Sequence, residues 1–100
     1  MSPTASLPDH AHLTVVDVRS PGEFAAGHID GAINLPLDRL AQDAAQWLPH
    51  KQAPLVLCCL SGARSGLGVQ LLRQQGYENV VNGGGVGSVA MQLGRPIARG

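Results

Sequence analysis

Apolar positions in this chain follow two rhythms. Residues 13–18, Leu-Thr-Val-Val-Asp-Val, form a short, nearly continuous β-branched run, bounded downstream by Ser20-Pro21-Gly22. Such a run predicts a strand covered on both faces, as in a parallel sheet. Ser20 as N-cap, Pro21 at the first helical position and Glu23 in the first turn predict a short helix through Ala26, stopped by Gly27. Residues 32–35 predict a second short strand, ended by Pro36. From Leu37 the spacing changes to three and four, through Leu40, Ala41, Ala44, Trp47 and Leu48, which predicts an amphipathic helix stopped by Pro49. Residues 55–59, Leu-Val-Leu-Cys-Cys, are the strongest strand. After Ser61-Gly62-Ala63-Arg64-Ser65-Gly66 comes a helix carrying Leu67, Leu71 and Leu72 and ending at Gly76. Residues 79–82 are the last strand, and Gly83-Gly84-Gly85 turns the chain into a short helix near 86–92. The order β-α-β-α-β-α-β-α implies an α/β fold, a parallel sheet with helices on both faces. Residues 1–11 read as a flexible lead-in, 12–95 as a single domain and 96–100 as a tail.

Composition narrows the function classes. The chain has 100 residues, with seven Lys+Arg against seven Asp+Glu. That length holds one core and not two. Twenty-five Leu, Val and Ile supply an aliphatic core, which argues against intrinsic disorder. Three aromatics (Phe24, Trp47, Tyr77) are too few for a base-stacking platform, and the scattered basic residues form no phosphate-tracking stripe. Nucleic acid is therefore not an expected partner. No apolar run approaches the roughly 20 residues that span a bilayer, so a membrane is not expected either. No basic residue precedes an apolar stretch at the N-terminus, which predicts a cytoplasmic protein; removal of an export signal would make it periplasmic. Two adjacent cysteines, Cys58 and Cys59, cannot staple distant segments, which turns attention to a reduced thiol.

Cys59 is that thiol. In open parallel sheets reactive groups gather where the carboxyl ends of the strands meet the following loops, and Cys59 ends the strongest strand. The loop Leu60-Ser61-Gly62-Ala63-Arg64 is tight and leads into a helix. Wrapped around the sulfur, it can turn backbone N–H groups inward, and the helix adds the positive end of its dipole. Both favour thiolate over thiol. Arg64 contributes a permanent charge and a planar donor fork. The pattern is that of a nucleophilic sulfur attacking an anionic substrate.

Three motifs resemble the rhodanese superfamily. Asp17-Val-Arg-Ser-Pro-Gly-Glu-Phe24 with Gly27-His-Ile-Asp-Gly-Ala-Ile-Asn-Leu-Pro36 resembles its first signature, and residues 59–65 are similar to its active-site loop. Residues 82–91, Asn-Gly-Gly-Gly-Val-Gly-Ser-Val-Ala-Met, look most like the small phage-shock type of single-domain rhodanese. The resemblance implies a rhodanese-like fold and a thiosulfate sulfurtransferase with Cys59 as nucleophile and persulfide carrier. It also implies that the backbone N–H groups of Leu60, Ser61, Gly62, Ala63, Arg64 and Ser65 hold the persulfide, and that Arg64 orients the anionic donor. No metal or organic cofactor is implied, and His10, His12, His28 and His50 are spread along the chain. The loop runs six residues from Cys59 through Arg64, one fewer than in the related phosphatases, which favours sulfur over phosphoryl chemistry.

Departures from the family pattern leave alternatives. Cys58 stands where an aromatic is common; it is either a buried strand residue facing away from the loop or a resolving thiol. Val89 lies in the region where a Trp is often found, and little chain precedes residue 13, so the sheet is expected to have four or five strands. Asp17 and Arg19 are read as structural support, Asp17 accepting N–H bonds of the Cys59 loop or pairing with an Arg, with substrate contact as the alternative. Glu23 is a helix-start carboxylate or a partner for Arg19. His28 reads as a turn residue and not as a base, and Trp47 with Leu48 as a helix-to-core anchor. Gly66 and Gly68, inside a helix, suggest close backbone approach to the loop. The competing functions are a sulfur carrier loaded by a partner protein and a catalytically silent regulatory module. Donor and acceptor are expected to be a small anionic sulfur compound and cyanide or a thiol.

Overall fold

A computed structural model describes residues 13–100, so the lead-in expected at 1–11 lies outside the described residues. In chain order the elements are β1 (Thr14–Asp17), α1 (Pro21–Ala26), β2 (His28–Ile29), β3 (Ile33–Asn34), α2 (Leu37–Trp47), β4 (Leu55–Cys59), α3 (Ala63–Gln74), β5 (Val80–Gly85), α4 (Val86–Leu93) and β6 (Ile97–Ala98). Four strands form one parallel sheet in the order β3-β1-β4-β5. Every residue of β4 is buried, as its unbroken apolar run requires of a central strand.

Side chains alternate across β4. Leu55, Leu57 and Cys59 join Val16, Val18, Leu40, Ala44, Val69 and Leu72 on the face covered by α2 and α3. Val56 and Cys58 join Val15, Ile29, Val86, Val89 and Ala90 on the face covered by α4. The two cysteines thus belong to different cores. Helices close on local signals: α1 opens with a reciprocal capping box between Ser20 and Glu23. After α3, Gly76 takes a left-handed φ of +96°, with Tyr77 and Gly76 donating back to Leu72 and Arg73. Gly68 admits the sheet to α3, since a Cβ there would lie 2.8 Å from Leu57 Cδ2.

Three expectations change. Of the pair expected to anchor α2, Leu48 is buried but Trp47 is 54% exposed; successive positions at a helix end are turned about 100° apart, which takes Trp47 out to solvent. Gly83-Gly84-Gly85 is no simple turn. It continues β5, and the pairing slips from Leu57–Asn82 to Cys58–Gly84, so Gly83 bulges out of register. The supposed tail at 96–100 contains β6, which pairs antiparallel with β2 through His28–Ala98 and Ile29–Ile97. Two-residue strands carry no readable period.

Gly83 has no room for a side chain. A Cβ there would lie 2.6 Å from a methyl of Val56 and from one of Val89, neither of which can swing away, and 3.2 Å from the Leu57 carbonyl oxygen. Gly83→Ala is expected to cost about 1–3 kcal/mol through overpacking, read as a lower urea midpoint at unchanged slope.

Candidate active site

Cys59 ends β4 and the chain then loops through 60–62 into α3. The left-handed Gly62, φ +100°, makes the loop double back. Its N–H donates to Cys59 Sγ at 2.9 Å, and the Ser65 N–H donates at 3.4 Å. The Ser65 hydroxyl lies 3.4 Å from the sulfur. Burial pushes the Cys59 thiol up, but the Ser65 hydroxyl and the N–H groups of Ser65, Gly62 and Ser61 outweigh it and bring it down to about 7. Of the six loop residues expected to hold the sulfur, Gly62 and Ser65 donate N–H hydrogen bonds to it. Leu60 is 69% exposed and Ala63 is exposed on the first turn of α3.

Cys58, the adjacent thiol, is fully buried on the other face and is pushed up to about 12, by burial first and by the nearby Asp17 charge second. Of its two readings, the geometry selects the inert strand residue. Reactivity toward iodoacetamide should therefore rise with pH through about 7 and level off, because the thiolate is the nucleophile and Cys59 alone ionises there. Peptide mapping should find Cys59 modified and Cys58 intact.

Arg64 does not point its charge freely at the sulfur. It makes a bidentate pair with Glu23, Nη1 to Oε1 at 2.7 Å and Nη2 to Oε2 at 2.9 Å. Glu23 sits at about 2, held down by the Arg64 guanidinium first and by the Ser20 N–H next. The carboxylate is thus ionised wherever Cys59 titrates. A groove of about 400 Å³, lined by Val18, Pro21, Pro36, Leu37, Asp38 and Arg64 among others, opens beside this pair. Of the two readings of Glu23, the capping box with Ser20 makes it the helix-start carboxylate, and Arg19, the other expected partner, is already taken. Its Nε and Nη2 bind the Asp17 carboxylate at 2.7–3.1 Å and Nη2 also donates to the Gly27 carbonyl at 2.7 Å. Asp17 pairs with Arg19 and does not accept from the Cys59 loop, because it lies opposite Cys58 and alternation turns it to that face.

His28 stacks on Phe24 at 3.8 Å between centroids and its Nδ1 meets the Phe24 carbonyl, a structural use. Asn82 was not singled out in the sequence, yet its side chain touches both Gly62 and Ser65. Its only sequence signal was its place before the glycine run. Among the described residues no three His, Cys, Asp or Glu gather into a group that could hold a metal ion.

Residues 4–86 match the model of the rhodanese-like domain. The chain belongs to the rhodanese family. It is 36% identical over 86 residues to the thiosulfate sulfurtransferase PspE of Escherichia coli, covering 86% of this chain and 83% of that one. A solved structure of a rhodanese with anions from E. coli superposes with a TM-score of 0.80 at 33% identity, over 88% of this chain and 99% of that one. A Bacillus subtilis relative named as a putative sulfur carrier protein, YrkF, is 29% identical over 70% of this chain and 37% of its own length. The rhodanese fold and the strand–loop–helix around Cys59 therefore come together in one chain. No helix among the described residues is long and apolar enough to cross a membrane.

Proposed function

We propose that this rhodanese is a sulfurtransferase that moves sulfane sulfur from thiosulfate to a thiophilic acceptor, cyanide or a thiol, by way of a persulfide on Cys59. The observation that carries the reading is the cradle of N–H groups on a thiol at about 7, which keeps a nucleophilic thiolate available at neutral pH. In the first displacement the thiolate attacks the outer sulfur of thiosulfate. The Sγ–S bond forms, the S–S bond of the donor breaks, and sulfite leaves with the electron pair. In the second, the acceptor attacks the outer sulfur of the persulfide and Cys59 departs as thiolate. With the acceptor as cyanide anion or thiolate, neither step requires proton abstraction, so no general base is needed beside the sulfur. The inward N–H groups stabilise the anionic sulfur that each step places there. Arg64, steadied by Glu23, offers its outer edge to the donor at the mouth of the groove.

Intact mass after incubation with thiosulfate tests the proposal. A gain of one sulfur atom, lost on adding cyanide, is expected. A wild-type protein that gains nothing from thiosulfate refutes it as the donor. A second reading, a sulfur carrier loaded by a partner protein, is favoured by the likeness to YrkF. It predicts loading from a protein persulfide and slow turnover with thiosulfate and cyanide. Donor, acceptor and compartment, cytoplasm or periplasm, belong to this proposal.

A further inference from the structure

Asn82 is the β5 residue that faces the Cys59 loop, and the local backbone is built to bring it there. The bulge at Gly83 resets β5 between Asn82 and Gly84, and bulges beside active sites serve to re-aim a side chain. Gly84 has a left-handed φ of +88°, and a Cβ on Gly66 would lie 3.3 Å from Asn82 Nδ2. Glycines on both elements thus let the Asn82 amide lie against the loop.

The amide makes three hydrogen bonds. Nδ2 donates to the Gly62 carbonyl at 3.0 Å; Oδ1 accepts from the Ser65 hydroxyl at 2.6 Å and from the Gly84 N–H at 2.9 Å. The network fixes the orientation of the amide: flipped, it would set NH2 against an N–H and oxygen against a carbonyl oxygen. Gly62 and Ser65 also donate their backbone N–H groups to Cys59 Sγ. We propose that Asn82 is a positioning residue for sulfur transfer, holding from β5 the two loop residues whose N–H groups hold the Cys59 sulfur. This rests on the assignment of Cys59 as nucleophile but on no particular donor.

Asn82 also limits the Ser65 hydroxyl, which has one hydrogen. With that hydrogen on Oδ1, the hydroxyl oxygen faces Sγ as an acceptor, suited to the thiol. When Cys59 ionises, the hydrogen can turn to the sulfur while Nδ2 still keeps Gly62 in place. Charged or titratable groups near the site come from other elements: Arg64 at the start of α3, Glu23 on α1, Asp38 on α2, Asp17 and Arg19 at the end of β1, and Cys58 on β4. β5 brings none, so the effect of Asn82 passes through hydrogen bonds.

The test is the pH profile of Cys59 alkylation by iodoacetamide, which uses neither sulfur donor nor acceptor. Asn82→Ala should raise the midpoint by about one unit, because the two slackened N–H bonds to the anionic sulfur are charge-assisted and outweigh the single neutral Ser65–Asn82 bond whose loss favours ionisation. Alkylation at pH 6 should slow about tenfold, while rates above pH 9 stay within about twofold of wild type. Asn82→Asp, similar in shape, still accepts from Gly84 and Ser65 but sets an oxygen against the Gly62 carbonyl and adds a negative charge. It should raise the midpoint at least as far, and it carries the test if Asn82→Ala does not fold. A midpoint unmoved in the folded variants, with only the melting temperature lowered, would overturn the proposal and leave Asn82 a turn residue. Failure of the wild type to load sulfur from thiosulfate would refute the proposed function and leave this outcome standing.

Discussion

Replacing Cys59 with Ser is expected to abolish the persulfide and lower sulfur-transfer turnover by at least about a thousandfold, the scale on which nucleophile replacements act. The hydroxyl that takes its place keeps its proton at neutral pH and cannot use the cradle, whose N–H groups stabilise an anion. Cys58→Ala, one residue earlier, should keep turnover within about twofold and cost about 1 kcal/mol of stability, the scale of one small buried group. The contrast follows from strand geometry. Cys59 faces the N–H groups of its own loop and sits at about 7, whereas Cys58 faces Val56, Val86 and Val89 in the opposite core and sits at about 12. Turnover and intact mass of both variants decide it. Loss of loading in Cys58→Ala, with Cys59→Ser still loaded, would move the nucleophile to Cys58.

The largest loss of stability is expected from Asp17→Ala. Asp17 is fully buried at the end of β1 and accepts from the Arg19 backbone N–H as well as its guanidinium. Removing one partner of a buried pair leaves the other charge uncompensated, at a cost of about 3–5 kcal/mol. A chain of this length has little more than that in reserve. Urea unfolding should show the midpoint collapse. Activity should fall too, because Arg19 also ties down Gly27, where α1 ends, and α1 carries Glu23, which holds Arg64. A loss below about 1 kcal/mol would mean that water replaces the carboxylate and that the pair is not structural.

Local signals in the sequence were sufficient where the structure is local. Ser20, Pro21 and Glu23 specify α1 because a capping box is closed within four residues. The apolar run of 55–59 specifies a buried central strand, and the Cys59-to-Arg64 loop is legible because the same few residues supply both the sulfur and the N–H groups around it. Trp47 misled because apolar spacing at the last turn of α2 does not separate the residue facing the core, Leu48, from its neighbour. The glycine run at 83–85 misled because glycine carries no side-chain pattern to show that a strand continues through a bulge.

By itself, then, the sequence determined the α/β order, the four strand–helix signals and the candidate nucleophile, Cys59, all matters of spacing within about ten residues. Only the tertiary structure decided that Glu23, 41 residues away, neutralises Arg64, that Asn82 reaches back 20 residues to Gly62, and that Ile97 and Ala98 pair with β2. Such partners are selected by which strand ends the parallel sheet brings side by side. That depends on strand order and register, which no local pattern encodes.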